Sequence, residues 1–230
     1  DTGFPHLFVN LQRQQTQRTQ INALVRRTQT LQRLPLYLNY LRSLPKGKSE
    51  NISATAIADA LRLGDVQVRK DLALVSSGGR PKVGYVTREL TSDIENFLGY
   101  HDVETAVLVG AGDLGHSLLS YDGFSGYGLE IAAAFDRDPA LVGTTIAGKR
   151  VLSMEKLVDL CCRMQIHMGI IAVPGGEAQA VCDTLVSSGV LAIWNFAPVR
   201  LDVPEDVLVR NEDLAGSLAV LAKRLAERID

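Results

Sequence analysis

Residues 105–115 read TAVLVGAGDLG, and this stretch decides the fold of the second half of the chain. Its first five residues are apolar or β-branched, which predicts a buried strand. The six that follow, Gly110 to Gly115, match the pattern GxGxxG, and Leu114 and Leu118 continue the stretch as a helix. A strand, a glycine-rich turn and a helix in this order are the fingerprint of a dinucleotide-binding βαβ unit.

Each glycine of the turn has a predicted role. Gly110 permits the tight turn, Gly112 lets a pyrophosphate approach the backbone at the helix N-terminus, and Gly115 permits close packing of the helix on the strand. The predicted cofactor contacts at the turn are Gly110, Ala111, Gly112, Asp113, Leu114 and Gly115. A Rossmann-like fold with an empty site is the alternative.

Asp136 ends the next predicted strand, 21 residues after Gly115. A carboxylate at that place can hydrogen-bond both ribose hydroxyls and repel a 2′-phosphate, which favours NAD(H) over NADP(H). The segments Ala172-Val173-Pro174 and Asn195-Phe196 also follow predicted strands, at the edge where such sheets bind ligands. Loop geometry set by proline is the alternative for these segments.

Strand and helix patterns alternate through residues 101–212, which predicts a doubly wound parallel sheet in an α/β protein. The last segment, 213–230, reads as a helix with a wide apolar stripe. Such a helix packs on a partner subunit or on a neighbouring domain.

The first half follows a different pattern. Three helical patterns lie within residues 33–75, and Gly64 separates the second from the third. The second is predicted to bury Ile57, Ala60 and Leu61, and the third buries a face opposite its polar residues. Residues 88–99 read as a linker helix.

The third helix and the segment after it are basic. Gln67, Arg69 and Lys70 lie away from the apolar face, and the glycine-rich segment 76–86 carries Arg80, Lys82 and Tyr85 in a predicted β-turn wing. Three helices and a basic wing predict a winged helix-turn-helix that places its recognition helix in the major groove. A small helical protein-interaction domain is the alternative.

The 230 residues have a net charge of −2, and the charge is unevenly divided. Residues 1–100 hold 14 Lys and Arg against 8 Asp and Glu, a net of +6, whereas residues 101–230 hold 10 against 18, a net of −8. This suggests an anion-binding half joined to an acidic half, although chance distribution of surface charge explains it equally well.

Three cysteines and four histidines show no disulfide or zinc spacing. We expect no metal site, and buried thiols in a reducing cytoplasm, with a redox-sensing thiol as the minor alternative. No apolar run approaches the roughly 20 residues that span a bilayer, so we expect a cytoplasmic protein.

The two halves together favour a switch over an enzyme. A hydride-transferring enzyme needs a substrate pocket with a general acid or base beside the nicotinamide, and no substrate domain follows the Rossmann pattern. A DNA-reading head accompanies it instead, and a ligand that prefers one arrangement of the two parts regulates the other. The alternatives are an NAD-dependent oxidoreductase with an N-terminal dimerisation domain and a dimer module that no longer binds DNA.

From about Arg33 onward, the chain resembles the Rex family of redox-sensing transcriptional repressors. The resemblance rests on motifs in fixed order: RLPLYLNYLR (33–42), QVRKDL (67–72), GRPKVGY (79–85), VLVGAGDLG (107–115), AVPGGEAQ (172–179) and NEDL (211–214). It implies a homodimer that binds palindromic operator DNA, represses transcription and leaves the DNA when NADH binds, while NAD+ competes weakly.

The resemblance also implies residue roles. Arg69 and Lys70 contact the operator, and Tyr85 closes the wing. The sequence departs from the usual family pattern at Ser76 and at Pro81 and Lys82, which puts the operator preference in question.

A second set of implied roles concerns the switch. Tyr121 is the tyrosine that moves near the nicotinamide, and Asp213, from the other subunit, is its partner. Arg42 holds Asp213 in the DNA-bound state, and the C-terminal helix is exchanged between subunits. Leu214 stands where the family often has an aromatic residue.

The expected division of the chain has four parts. Residues 1–32 are an N-terminal extension without assigned function, 33–100 the winged helix domain, 101–212 the Rossmann NAD(H)-binding domain and 213–230 the C-terminal dimerisation helix.

Overall fold

A computed structural model of the chain describes residues 29–45 and 50–229. The chain divides into two compact units, and the boundary between them lies between His101 and Asp102. In the first unit, residues 29–43 form helix α1. The other elements of this unit are β1 (Asn51–Ile52), α2 (Ala54–Leu61), α3 (Asp65–Val75), β2 (Tyr85–Val86) and α4 (Thr87–Leu98).

The core of the first unit is built from the apolar faces of its helices. Tyr37 and Leu38 of α1 and Leu72 of α3 are fully buried, as the periodicity predicts. One prediction was wrong. Ala60 is exposed, because α2 turns Ala54, Ile57 and Ala58 inward instead.

The α4 helix is more than the predicted linker. Its Leu90 and Ile94 are both fully buried in the same core as α1 and α3. The helix ends at Gly99, which takes the left-handed conformation that glycine adopts without steric cost. Among its described residues, the first unit therefore has four helices, and α4 closes the core that they share.

A buried carboxylate joins α1 to α3. Asp71, on α3, is only 1% exposed. It accepts hydrogen bonds from Arg33 Nε at 2.7 Å, Tyr37 OH at 2.7 Å, Thr30 Oγ1 at 2.8 Å and Gln67 Nε2 at 3.0 Å. A buried charge is stable only when it is paired and hydrogen-bonded, so these contacts fix the position of α3 on α1.

The Asp71 network shows that the first unit begins before residue 33, where the sequence placed its start. Helix α1 runs through the expected boundary at residue 33, and Thr30 is buried at 4% exposure against Asp71. The first unit therefore includes residues 29–32. The rest of the expected N-terminal extension, residues 1–28, lies outside the described residues.

The wing is a tight turn on a two-stranded sheet. β1 pairs antiparallel with β2, and Arg80 bridges to Gly84 across the turn. Gly84 has a φ of +85°, and a Cβ there would collide with the carbonyl oxygen of Ile52. Only glycine fits this crossing, which anchors the wing to the strand before α2.

The second unit contains one seven-stranded sheet. Its strands are β3 (Glu104–Val109), β4 (Leu129–Asp136), β5 (Thr145–Ile146), β6 (Lys149–Ser153), β7 (Met168–Ile171), β8 (Ala192–Asn195) and β9 (Leu208–Asn211). The helices are α5 (Asp113–Leu119), α6 (Leu157–Met164), α7 (Gly175–Ser187) and α8 (Leu214–Ile229), with short 3-10 helices at Asp122–Tyr127 and Met154–Lys156.

The sheet order is β5-β6-β4-β3-β7-β8-β9, and every neighbouring pair is parallel except β5 with β6. This is the Rossmann order, in which the connections change direction between β3 and β7. Alternate residues of β3 bury into cores on opposite faces of the sheet: Val107 and Val109 on one, Ala106 and Leu108 on the other. The predicted doubly wound parallel sheet is confirmed, with an antiparallel β5 added at one edge.

Helix α8 leaves its apolar side uncovered. None of its residues is buried, and Leu214, Leu218, Leu221 and Leu225 are 57–66% exposed. Asp213 caps the helix by accepting a hydrogen bond from the Gly216 N–H at 2.7 Å. Within the part of the chain that the structure describes, no helix is long and apolar enough to cross a membrane.

The Asp71 network generates a prediction about stability. Burial alone would raise the pKa of Asp71, but the hydrogen bonds from Arg33, Tyr37, Thr30 and Gln67 outweigh it and hold the pKa below its ordinary value. Asp71→Asn should lower the free energy of unfolding at pH 7 by about 3 kcal/mol, since one partner of a buried ion pair is lost. Urea denaturation followed by circular dichroism measures this.

The difference in unfolding free energy between wild type and Asp71→Asn should depend on pH. A lowered folded-state pKa stabilises the fold fully above the unfolded-state pKa of about 3.9, and the stabilisation is lost as the pH falls through the folded-state value. The gap between wild type and Asp71→Asn should therefore narrow in acid. Asp59→Asn, an exposed change on α2, is the control. A gap that stays constant down to pH 2 would contradict the assignment.

Candidate nucleotide site and nucleic-acid interface

The glycine-rich turn brings the ends of three strands together. Gly110 N–H donates to Phe135 O of β4 at 2.8 Å, and Ala172 N–H donates to Val109 O of β3 at 2.8 Å. Gly110 has a φ of +99°, and a Cβ on it would strike the carbonyl oxygen of Ala172. A Cβ on Gly115 would strike the carbonyl oxygen of Gly110. Two of the three glycines are thus required by the fold itself.

Gly112 differs from its two neighbours in the motif. A Cβ at this position would meet no atom within 4 Å, and its backbone is extended, with a φ of −66°. The fold does not need glycine here. The open space at the N-terminus of α5 fits a phosphate group, which backbone N–H groups at a helix start can bind.

Asp136 lies beside this turn at the end of β4. Its Oδ2 accepts a hydrogen bond from Ala111 N–H at 2.7 Å, and its Oδ1 accepts one from Asp138 N–H at 2.8 Å. An ionised carboxylate has about four acceptor sites, so both oxygens can still accept ribose hydroxyls. The two backbone contacts hold the carboxylate in place.

A cavity of about 570 Å³ opens at the point where the strand order changes. This volume is in the range of small-molecule sites, and the place is where open α/β sheets bind ligands. It brings together six of the predicted cofactor residues, namely Gly110, Gly112, Asp136, Ala172, Val173 and Pro174. The sequence interpretation missed further lining residues, among them Arg137, Leu141, Met154, Glu177 and Thr184.

Arg137 and Glu177 form an ion pair on the cavity wall. Arg137 Nη2 lies 2.6 Å from Glu177 Oε1, with the arginine side chain 73% exposed and the glutamate 30% exposed. Arg137 follows Asp136 directly, so its place at the cavity could have been predicted. Its pairing with the first turn of α7 could not, because the two residues are far apart in sequence.

The remaining predicted cofactor residues lie outside the cavity lining. Ala111, Asp113, Leu114 and Gly115 form the turn and helix start behind it. Asn195 is fully buried, and its amide donates to Val199 O at 2.9 Å and Asn211 Oδ1 at 2.9 Å. Its polar atoms thus bond neighbouring parts of the protein, and its predicted contact with the cofactor stays a prediction.

Tyr121 begins a row of aromatic side chains that also contains Phe196. Its ring lies edge-on to the ring of Phe124, with 5.0 Å between the ring centroids. The centroids of Phe124 and Trp194 are 5.8 Å apart, and those of Trp194 and Phe196 are 4.5 Å apart. The Trp194 indole N–H donates to Glu212 Oε1 at 3.1 Å. The row thus leads from Tyr121 to the residue that precedes Asp213.

Arg42 has a partner within the first unit. Its Nη2 lies 2.9 Å from Glu95 Oε1, an exposed contact between α1 and α4. The contact that the resemblance implies between Arg42 and Asp213 of another subunit stays a prediction.

The first unit carries a basic groove between α2, α3 and the wing. The groove, of about 470 Å³, is lined by Ser53, Ala54, Thr55, Arg69, Gly79, Arg80, Pro81, Lys82, Gly84 and Tyr85. Three of these residues are cationic, and among the described residues no acidic side chain lines it. A groove of this charge fits a phosphate backbone.

The predicted DNA-binding side chains differ in the contacts that they make within the first unit. Arg69 Nη2 pairs with Asp65 at 2.8 Å, and the Gln67 amide is drawn to buried Asp71. Lys70 is exposed on α3. The Tyr85 ring lies against Gly79, where a Cβ would come within 2.7 Å of it, so Tyr85 packs on the backbone of the wing.

Two of the three cysteines are buried. Burial raises the pKa of Cys161 to about 11 and raises that of Cys182, so both remain thiols at neutral pH. Cys162 is exposed. Across residues 29–45 and 50–229, no three His, Cys, Asp or Glu side chains come together as a metal site.

Two family models match the chain. A CoA binding domain model matches residues 102–199, and a model described as putative DNA-binding protein N-terminus matches residues 28–73. The two matches fall in the two units of the structure.

Close relatives match over most of both chains. The redox-sensing transcriptional repressor Rex of Bacteroides fragilis is 40% identical over 85% of this chain and 89% of its own. The protein of the same name from Porphyromonas gingivalis is 41% identical over 85% and 90%, and that from Treponema denticola is 39% identical over 84% and 91%.

Solved structures show the same architecture. The crystal structure of RSP with β-NAD+ and operator DNA superposes with a TM-score of 0.83 at 33% identity, covering 87% of this chain and 93% of RSP. The structure of RSP with β-NADH gives a TM-score of 0.77 at 33% identity, covering 86% and 93%.

The geometry around Gly112 predicts a variant that separates folding from nucleotide binding. Gly112→Ala should leave the thermal unfolding midpoint unchanged, because its Cβ enters open space, and should weaken NADH binding about tenfold by blocking the approach of the pyrophosphate. Differential scanning calorimetry and NADH titration measure the two effects.

The control is Gly126→Ala, which also adds a methyl group in open space but lies outside the cavity. It should change neither quantity. Unaltered NADH affinity in Gly112→Ala would show that the pyrophosphate does not bind at the start of α5.

Proposed function

The chain belongs to the Rex family of redox-sensing transcriptional repressors, and we infer that it represses transcription from operator DNA in response to the NADH/NAD+ ratio. NADH binding to the second unit releases the first unit from DNA. The observation that carries this proposal is the presence, in one chain, of a basic winged-helix groove and a separate nucleotide cavity. Bacterial chromosomes lie in the cytoplasm, and there we propose that the protein acts.

The nucleotide contacts follow from the cavity. The pyrophosphate of NAD(H) would lie at Gly112, where backbone N–H groups of the α5 start can bind it. The Asp136 carboxylate would accept hydrogen bonds from the adenosine ribose, and Ala172, Val173 and Pro174 would border the nicotinamide half. The nucleotide acts as a regulatory ligand, and the proposed role requires no turnover, as for the transcriptional repressors of this family.

The DNA contacts follow from the groove. Lys70 and Arg69 on α3 would enter the major groove, and Arg80 and Lys82 of the wing would contact phosphates. The Asp71 network supports this assignment because it fixes α3 rigidly on α1, which keeps the exposed side chains of α3 in a constant position. Because α3 is already ordered in the free protein, DNA binding does not have to pay the entropy cost of ordering it.

We propose a homodimer in which α8 is exchanged between subunits. The uncovered leucine stripe of α8 supports this, because a contiguous apolar helix face is stable in water only when another surface covers it. A palindromic operator matches a two-fold symmetric protein. In this dimer, Asp213 of the partner subunit would meet Tyr121 when NADH is bound and Arg42 when DNA is bound.

The first experiment is fluorescence anisotropy of the full chain on a palindromic operator at fixed salt, titrated with NADH and separately with NAD+. NADH should release the DNA at a far lower concentration than NAD+ does, because the two forms differ in the nicotinamide that the switch senses. Equal release by both nucleotides, or by neither, would contradict redox sensing.

The same assay tests the recognition helix. Lys70→Ala should weaken operator binding about tenfold or more, since a lost base or phosphate contact costs about 1–3 kcal/mol. Lys156→Ala, which removes an exposed lysine from the second unit, is the matched control and should bind normally. Equal losses in both variants would point to general charge in place of a specific contact.

The leucine stripe predicts the effect of a single charge on assembly. Leu221→Asp should convert the dimer to monomers in sedimentation velocity, because it places a carboxylate in the covered face. Val220→Asp adds the same group about 100° around the helix from Leu221 and outside the leucine stripe, where Val220 is also exposed, and should leave a dimer. Identical sedimentation of the two variants would refute α8 as the interface.

A further inference from the structure

The nucleotide cavity contains a charge arrangement that ribose recognition by Asp136 does not explain. Three carboxylates line it, from Asp136, Asp138 and Glu177, against one cation in the described lining, Arg137. That cation is already paired, with Arg137 Nη2 2.6 Å from Glu177 Oε1. Two different elements supply the pair, since Arg137 follows β4 and Glu177 lies in the first turn of α7.

Because Arg137 lies next to Asp136, its pairing with Glu177 affects how the cavity would meet a phosphate on the adenosine ribose. A 2′-phosphate on the adenosine ribose would lie near Asp136 and bring a charge of about −1.5 to −2. A site that accepts this group needs a cation, and arginine is the side chain best suited to bind phosphate through two parallel hydrogen bonds. Arg137, directly after Asp136, is the group that could do so.

We propose that Glu177 is a specificity-determining residue that excludes NADP(H) by occupying Arg137. Its carboxylate holds the guanidinium against α7 and cancels its charge, so a 2′-phosphate meets Asp136 without a free cation. Exclusion then has two parts, repulsion by Asp136 and withdrawal of Arg137 by Glu177. Glu177 is a positioning residue in this scheme, because it acts through Arg137 and not on the nucleotide itself.

The inference rests on the proposed function, in that it takes the cavity to be the NAD(H) site. The exposure of the Arg137–Glu177 pair limits how much Glu177 can change the affinity for NADP(H). The pair is partly exposed, and an exposed ion pair contributes at most about 1 kcal/mol, which corresponds to about a fivefold change in affinity. The contribution of Glu177 should weaken with added salt.

The test is a calorimetric titration of the full chain with NADH and with NADPH. Glu177→Gln should raise the affinity for NADPH relative to NADH about fivefold. Asp183→Asn is the matched control, since it removes one carboxylate from the same helix outside the cavity. The control should leave the NADPH-to-NADH affinity ratio unchanged.

A double variant tests whether Glu177 acts through Arg137. In Arg137→Ala protein, adding Glu177→Gln should change the NADPH-to-NADH affinity ratio by less than about twofold, because the cation that Glu177 releases is missing. An unchanged ratio in Glu177→Gln alone, an equal gain in Asp183→Asn, or a gain that persists without Arg137 would each overturn the proposal.

Failure of the two proposals looks different in this experiment. A wild-type chain that binds neither nucleotide would refute the NAD(H) site and the inference together. A wild-type chain that binds NADH, with a Glu177→Gln ratio that does not move, would refute only the role of Glu177.

Discussion

The nucleotide cavity depends on the close approach of two backbones. At Gly110 the chain leaving β3 passes so near the carbonyl of Ala172, after β7, that no side-chain carbon fits between them. Gly115 repeats the constraint one turn later, because α5 packs directly on Gly110. Since β3 and β7 lead to connections in opposite directions, this contact forms the floor of a crevice. Gly112, the one glycine of the motif that the fold leaves free, opens onto that crevice.

The first unit depends on a buried charge in place of a steric fit. Helix α3 buries little apolar surface, chiefly Val68 and Leu72, and its start has no side-chain cap. Asp71 compensates with hydrogen bonds from four side chains, three of them on α1. Directional bonds to a buried carboxylate define the rotation of a helix more narrowly than apolar contacts do, and the exposed face of α3 is the one proposed to contact DNA.

Local patterns predicted most of the fold, and contacts between distant residues account for what they missed. GxGxxG with its flanking strand and Asp136 are local signals, and Gly110, Gly112 and Asp136 all line the cavity. The partners of Asp71 lie 34 to 41 residues away, apart from Gln67, so no local pattern reveals them. Asn195 shows the limit of a local signal: its place at a strand end predicted a ligand contact, but its position in the chain does not reveal that its amide bonds Val199 and Asn211.

The two units treat phosphate by opposite means, which follows from their charges. The basic groove offers Arg69, Arg80 and Lys82, and DNA bound there would release counterions and would dissociate readily as salt is added. The charged residues that line the nucleotide cavity are mainly carboxylates, and its one described cation is already paired, so a pyrophosphate in it must rely on backbone N–H groups at a helix start. Salt screens the repulsion between these carboxylates and the pyrophosphate, so added salt should not weaken nucleotide binding as it weakens DNA binding. A rise in ionic strength should therefore weaken DNA binding by the first unit without weakening nucleotide binding by the second.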